Sequence, residues 1–123
     1  MLIVYDTFTG KVKKFTEKLP SNIEVRHISE YDGTSLYYFI TSTIDFGKLL
    51  SSTYDFLLSH SDNCLGVSSS GNKIWGRNYA KAADLISEKY NVPIISKFEL
   101  DGTEDDVKYF VERIMEIEYN RNK

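Results

Sequence analysis

Three short stretches hold the residues with the most chemistry in them. Thr7-Phe8-Thr9-Gly10-Lys11-Val12 puts two hydroxyls, a glycine and a lysine directly before a helical pattern. Amides at the positive end of a helix, helped by hydroxyls and a lysine, suit an anion such as a phosphate. Thr43-Ile44-Asp45-Phe46-Gly47 and Ser70-Gly71-Asn72-Lys73-Ile74-Trp75-Gly76 each set a large aromatic ring among polar, glycine-hinged residues. Loops of this kind can hold a planar heterocycle between apolar faces while their backbone groups bond its edge. A phosphate nest at one end and an aromatic slot at the other fit a mononucleotide. Taken one at a time, the same residues also serve as a helix cap, a turn glycine or a loop anchor.

Other chemistries find little support. Cys64 sits at a strand start as a core thiol, and a tyrosine-phosphatase-type loop would need arginine where Ser70 stands. His27 and His60 read as surface residues that build neither a Ser-His-Asp arrangement nor, with one cysteine, a zinc site; no metal is expected. Lys97 and Glu99, two apart at a strand end, read as a solvated rim pair in preference to an acid/base pair. The first loop is neither GxGxxG nor GxxxxGK[ST], which removes the dinucleotide and ordinary ATPase fingerprints.

The elements that must position these loops alternate. Leu2–Tyr5 is an unbroken apolar run, as in a strand covered on both faces. Val12, Phe15 and Leu19 follow at helical spacing before Pro20, and residues 23–28 alternate like an edge strand. Residues 36–41 form the third strand, with Ser42–Gly47 as its exit loop. Ser51 or Ser52 is placed to cap the next helix, with Asp55 three residues after Ser52. Cys64–Val67 is a short fourth strand, and the stretch from Ser68 to Gly76 reads as a long loop leaving it. Tyr79–Tyr90 is helical, residues 92–98 form a last strand with Pro93 marking an edge, and Thr103 caps a final helix. Right-handed crossovers make this a five-stranded parallel sheet between two helical layers, a three-layer α/β sandwich, and an order of 2-1-3-4-5 puts strands two and five at the edges, as their sequences suggest. In that order the loops after strands one, three and four meet at the carboxyl edge, where such folds bind ligands.

A length of 123 residues suits one domain, here 1–123, with a real core. A net charge of −3 carries no basic excess for nucleic acid, and no apolar run approaches the ~20 residues that cross a bilayer. A reduced, cytoplasmic protein is the default. Phosphoryl-accepting receiver domains share the topology, and Asp6, Asp45 and Lys97 imitate their acidic and basic set. Thr7 stands where a second acidic residue belongs, however, and receivers have no use for the tryptophan loop.

Tyr5–Val12, Thr41–Gly47, Gly66–Gly76 and Val92–Thr103 together resemble the NrdI family, small flavodoxin-like proteins that accompany class Ib ribonucleotide reductase. The resemblance covers nearly the whole chain. It implies non-covalent FMN, with Asp6, Thr7, Phe8, Thr9, Gly10, Lys11 and Val12 at the phosphate loop. Thr43, Ile44, Asp45, Phe46, Gly47, Ser70, Gly71, Asn72, Trp75 and Gly76 then fall in the two ring-holding loops. It further implies a redox activator whose reduced flavin converts oxygen to superoxide for the dimanganese small subunit NrdF, so that a tyrosyl radical forms. A flavin reductase or other electron donor is expected as a second partner. The cofactor carries this chemistry, so no side chain need be a catalytic nucleophile. A general flavodoxin-type electron carrier is the alternative. Lys11, Asp45 and Leu50 depart from the asparagine, glycine or asparagine, and proline familiar in the family.

Overall fold

The computed structural model describes residues 1–123. Five parallel strands form its centre: β1 (Leu2–Tyr5), β2 (Glu24–His27), β3 (Tyr37–Ile44), β5 (Cys64–Gly71) and β6 (Ile94–Glu99), in the order β2-β1-β3-β5-β6. A two-residue strand β4 (Lys48–Leu49) pairs antiparallel with the end of β3. Apart from that addition, this is the expected 2-1-3-4-5 topology, with β2 and β6 at the edges.

Alternation along the strands divides the core between two faces. Ile3, Tyr38, Ile40, Ile95 and Phe98 point toward α1 (Lys11–Glu17) and α4 (Glu104–Arg121), which contribute Val12, Phe15, Val107, Phe110 and Ile114. Leu2, Val4, Tyr37, Phe39 and Val67 point the other way, toward Phe56 and Leu57 of α2 (Ser51–His60) and Ala83 and Ile86 of α3 (Lys81–Tyr90). Phe15 stacks on Phe98 at 4.0 Å between centroids, which fixes α1 against the far edge of the sheet. Cys64 lies in the second face, and burial pushes its thiol up to about 11, so it stays protonated and unreactive at neutral pH.

Several boundaries differ from expectation, for a common reason. The third strand continues through Ser42, Thr43 and Ile44, and the fourth continues through Ser68, Ser69, Ser70 and Gly71. These hydroxyl residues look like loop by polarity, yet they are buried and paired within the sheet, Ser42 and Ser68–Ser70 across β3 and β5 and Thr43 with β4. All of these hydroxyls but that of Ser70, which lines the cleft, find a partner inside the fold. Ser68 Oγ meets Ser96 Oγ at 2.7 Å, Thr41 Oγ1 meets Thr53 Oγ1 at 2.7 Å, and Thr43 Oγ1 accepts from the Ala82 amide at 3.1 Å. Ser69 Oγ donates to the Ala80 carbonyl and accepts from the Ala83 amide, tying β5 to the start of α3.

Neither Ser51 nor Ser52 caps α2; its cap is Leu50, with no side-chain bond. Ser52 Oγ is drawn instead to the buried Asp6 carboxylate, a stronger acceptor than an exposed amide is a donor. Thr103 does cap α4, in a reciprocal capping box with Asp106. Between β2 and β3 the chain makes only a 3-10 turn (Ile28–Glu30) where a helix would complete the alternation. Helix α3 begins at Lys81, so Tyr79 and Ala80 belong to the preceding loop.

Candidate functional site

The first loop leaves β1 at Asp6. That residue is only 3% exposed and its side chain faces inward: Ser52 Oγ and Thr53 Oγ1 donate to its Oδ2, and the Thr7 amide donates to Oδ1 at 2.9 Å. Asp6 therefore fixes the loop's departure angle from beneath. Thr7 Oγ1 accepts from the Val12 amide at 3.2 Å and lies 3.4 Å from the Lys13 amide, while Ser42 Oγ accepts from the Phe8 amide. Thr9 and Gly10 are both left-handed, at φ 59 and 82, which turns the chain sharply into α1. No protein acceptor lies against the amides of these two residues. A Cβ built on Gly10 would meet nothing within 4 Å, so the turn opens outward. Two free amides, an open approach and Lys11 alongside form a donor set that fits a phosphate.

The second loop is a tight hairpin between β3 and β4. Asp45, Phe46 and Gly47 take φ 46, 60 and 124 in succession, closed by a Gly47 amide to Ile44 carbonyl bond of 3.0 Å. The turn holds Phe46 outward, 70% exposed. The third loop begins after Gly71 and runs through two short 3-10 turns over Lys73–Asn78, broken at Gly76. Asn72 accepts from the Ile74 amide through its side chain and from the Trp75 amide through its carbonyl. Phe46 and Trp75 come within 5.7 Å between ring centroids, tilted by 58°. The two rings, more than twenty-five residues apart in sequence, thus lie against each other in this structure, too close to admit a third ring between them.

A cleft of about 160 Å³ joins the first and third loops over the ends of β3 and β5. Of the residues expected at the site, Phe8, Thr9, Lys11, Thr43, Ser70, Gly71, Asn72 and Trp75 line it. Thr7 and Val12 lie beneath the first turn, and Phe46 reaches the cleft through Trp75. Ile44, Asp45, Gly47 and Gly76 do not line the cleft; the first three lie in the hairpin turn and Gly76 at the break in the third loop. Two lining residues lie outside the expected set: Ser42, near the end of β3, and Leu100, an apolar residue in a turn after β6. Only its place after the last strand, at the same carboxyl edge, could have pointed to Leu100.

The cleft is smaller than the roughly 300–1,000 Å³ pockets that enclose drug-sized ligands. A mononucleotide seated here would stand partly in solvent. A larger concavity of about 510 Å³ lies between the end of α1 and α4, with Lys18, Glu104, Lys108 and Glu112 around it. Mixed charges on exposed helix surfaces converge on no common point there, whereas hydroxyls and backbone donors do converge at the smaller cleft.

His27 and His60 are half-buried, and neither joins the cleft. Lys97 pairs with Asp84 of α3 at 2.5 Å, and Glu99 accepts from the Lys73 amide, so the two do not form an acid/base couple. No group of His, Cys, Asp and Glu is arranged to hold a metal ion, and no helix is long and apolar enough to cross a membrane.

A doubly wound sheet with its cleft at the carboxyl ends of the central strands defines a flavodoxin-like protein. A short-chain flavodoxin associated with a bacterial microcompartment superposes with a TM-score of 0.74 over 97% of this chain and 96% of the other, at 19% identity. The model of the family described as "NrdI Flavodoxin like" matches residues 3–112. Protein NrdI of Macrococcus caseolyticus is 44% identical over 118 residues, covering 95% of this chain and 91% of that one. Protein NrdI of Bacillus licheniformis is 40% identical over 112 residues, covering 91% and 86%. The chain belongs to the NrdI family.

Proposed function

We propose that this protein binds FMN at the cleft and works in the cytoplasm as a redox activator of class Ib ribonucleotide reductase. The observation that carries this reading is the meeting of the open Thr9–Gly10 turn and the Phe46–Trp75 ring pair at one sheet edge, in a chain of the NrdI family. Thr9, Gly10 and Lys11 would hold the phosphate, and Trp75, which lines the cleft beside Phe46, would lie against the flavin ring. When bound and reduced by a flavin reductase, FMN supplies one-electron reduction of dioxygen to superoxide. On this reading dioxygen would reach the ring through the shallow cleft, over which the dimanganese subunit NrdF would dock.

Reconstitution decides the first half: the protein should retain FMN near one to one with a flavin spectrum, and loss of flavin at micromolar concentration overturns it. For the second half, reduced protein plus oxygen should generate a tyrosyl radical in manganese-loaded NrdF, read by electron paramagnetic resonance. Hydrogen peroxide alone should not substitute. An electron carrier of the general flavodoxin type would give no radical.

Gly10→Val should weaken FMN binding by about tenfold or more, because its methyls would stand in the open approach above the turn. The left-handed φ of 82 adds about 1–2 kcal/mol of conformational cost, visible as a lower urea midpoint in a protein that still folds. Fluorescence titration with FMN measures the first effect, and urea unfolding measures the second.

Charge at the rim sets a further expectation. Lys48, Lys73 and Arg77 are exposed around the two ring loops, opposed by the exposed Asp45. Positive charge favours the anionic fully reduced flavin. Asp45→Asn should therefore raise the potential of the second one-electron step, and neutralising Lys73 and Arg77 together should lower it. Both shifts should shrink as salt rises, because the Debye length is only about 8 Å at physiological ionic strength. Spectroelectrochemical titration at two salt concentrations checks sign and screening together.

A further inference from the structure

The turn after β6 closes a side of the cleft that the three loops leave open. Leu100 is left-handed there at φ 55, and its side chain, 44% exposed, lines the cleft with Gly71, Asn72 and Trp75. The turn is anchored from below. Gly102 donates its amide to the Glu99 carbonyl at 2.9 Å, and Lys18 Nζ reaches the Asp101 and Gly102 carbonyls at 3.0 and 2.6 Å. A Cβ on Gly102 would come within 2.7 Å of the Phe15 ring, so the turn is pressed against the core.

This fixed corner holds the tryptophan loop by two bonds, one on each side of Asn72. The Leu100 amide donates to the Gly71 carbonyl at 3.0 Å, and the Lys73 amide donates to Glu99 Oε2 at 3.1 Å. Lys97 is turned to Asp84 at 2.5 Å, which leaves the Glu99 carboxylate to the amide. Beyond Lys73 the loop is held largely by its own turns as far as Gly76, so its bearing on the sheet depends on these bonds. A bond to a carboxylate is roughly twice as strong as a neutral one, which makes Glu99 the firmer of the two ties.

We propose that the Glu99–Gly102 corner is a fourth element of the ring-binding site. Glu99 is a positioning residue that sets the Trp75 loop, and Leu100 is an apolar contact for the bound ring. This rests on the FMN reading given above. Without the carboxylate the loop samples more orientations, and binding must then order it.

The test compares Glu99→Ala, Glu99→Gln, Leu100→Ala and Lys97→Met in FMN titrations, with the visible circular dichroism of the bound flavin as a second readout. Glu99→Ala should raise Kd about tenfold and change the dichroism, whereas Glu99→Gln, whose amide oxygen can still accept, should stay within about threefold. Leu100→Ala should raise Kd about fivefold through lost apolar contact. Lys97→Met breaks an ion pair on the same strand and should leave both readouts unchanged. Exchange of the Lys73 amide with solvent should quicken in Glu99→Ala only, a local effect that general destabilisation would not confine to that amide. Wild-type protein that fails to take up FMN defeats the underlying reading, and the ring contact with it. Wild-type protein that binds FMN while Glu99→Ala and Leu100→Ala match it in affinity and dichroism overturns the corner alone.

Discussion

Gly71→Ala should cost about 3 kcal/mol of stability and weaken flavin binding in the same variant. The residue ends β5 where that strand passes the chain entering α3, and a Cβ there would lie 2.5 Å from the Ala80 nitrogen and 2.8 Å from its Cα. Both are backbone atoms, so no rotamer change relieves the clash. Relief requires moving Ala80, which Ser69 Oγ grips through its carbonyl, or moving Gly71, whose own carbonyl accepts from Leu100. Either shift disturbs the root of the tryptophan loop. Urea unfolding should show the lower midpoint, and FMN titration the weaker binding. Gly10→Ala is the contrast: it meets no atom, so only its left-handed conformation is penalised. A Gly71→Ala protein as stable as wild type would mean that the two segments are not in contact.

The second large effect is expected at Asp6. Asp6→Ala removes the common acceptor of the Ser52 hydroxyl, the Thr53 hydroxyl and the Thr7 amide. Thr53 is fully buried, and its remaining partner is Thr41. The loss should be about 3 kcal/mol, since donors left around a vanished buried charge keep their desolvation cost. Asp6→Asn should recover part of it through its carbonyl oxygen. The phosphate turn should suffer in both, because the carboxylate sets the direction of Thr7. Chemical denaturation checks the magnitude, and a double-mutant cycle with Ser52→Ala isolates the hydroxyl share.

The residues that were legible in the sequence are those whose pattern is local. Leu2–Tyr5 announces a buried strand by itself, and Thr103 with Asp106 carries its own capping signal within four residues. The turns around Gly10, Phe46 and Trp75 were equally visible, because glycine and aromatic residues stand out from their neighbours. The hydroxyl-rich ends of β3 and β5 were not, since Ser68 is explained by Ser96 and Thr43 by Ala82, partners far along the chain. Ser52 carried a good local signal and lost to a distant one: the cap position was available, but Asp6, forty-six residues away, is the better partner. Leu100 and Glu99 failed in the opposite way. Glu99 reads with Lys97 as a solvated rim pair and Leu100 carries no local signal, and only folding brings the corner against Gly71 and Lys73.

The buried hydroxyls have a consequence for the entropy of ligand capture. Thr41, Thr43, Ser68 and Ser69 each bond a protein partner, and these bonds stand without a ligand. The floor of the cleft is therefore in place before anything arrives. An incoming molecule displaces solvent from the rim without rewiring the sheet beneath it, and little conformational freedom remains to be lost there. What adaptation binding does require falls to the loops above, each a few residues long and hinged where the backbone is left-handed. A rigid base under short movable walls is a preorganised receptor. Its selectivity is written in the walls.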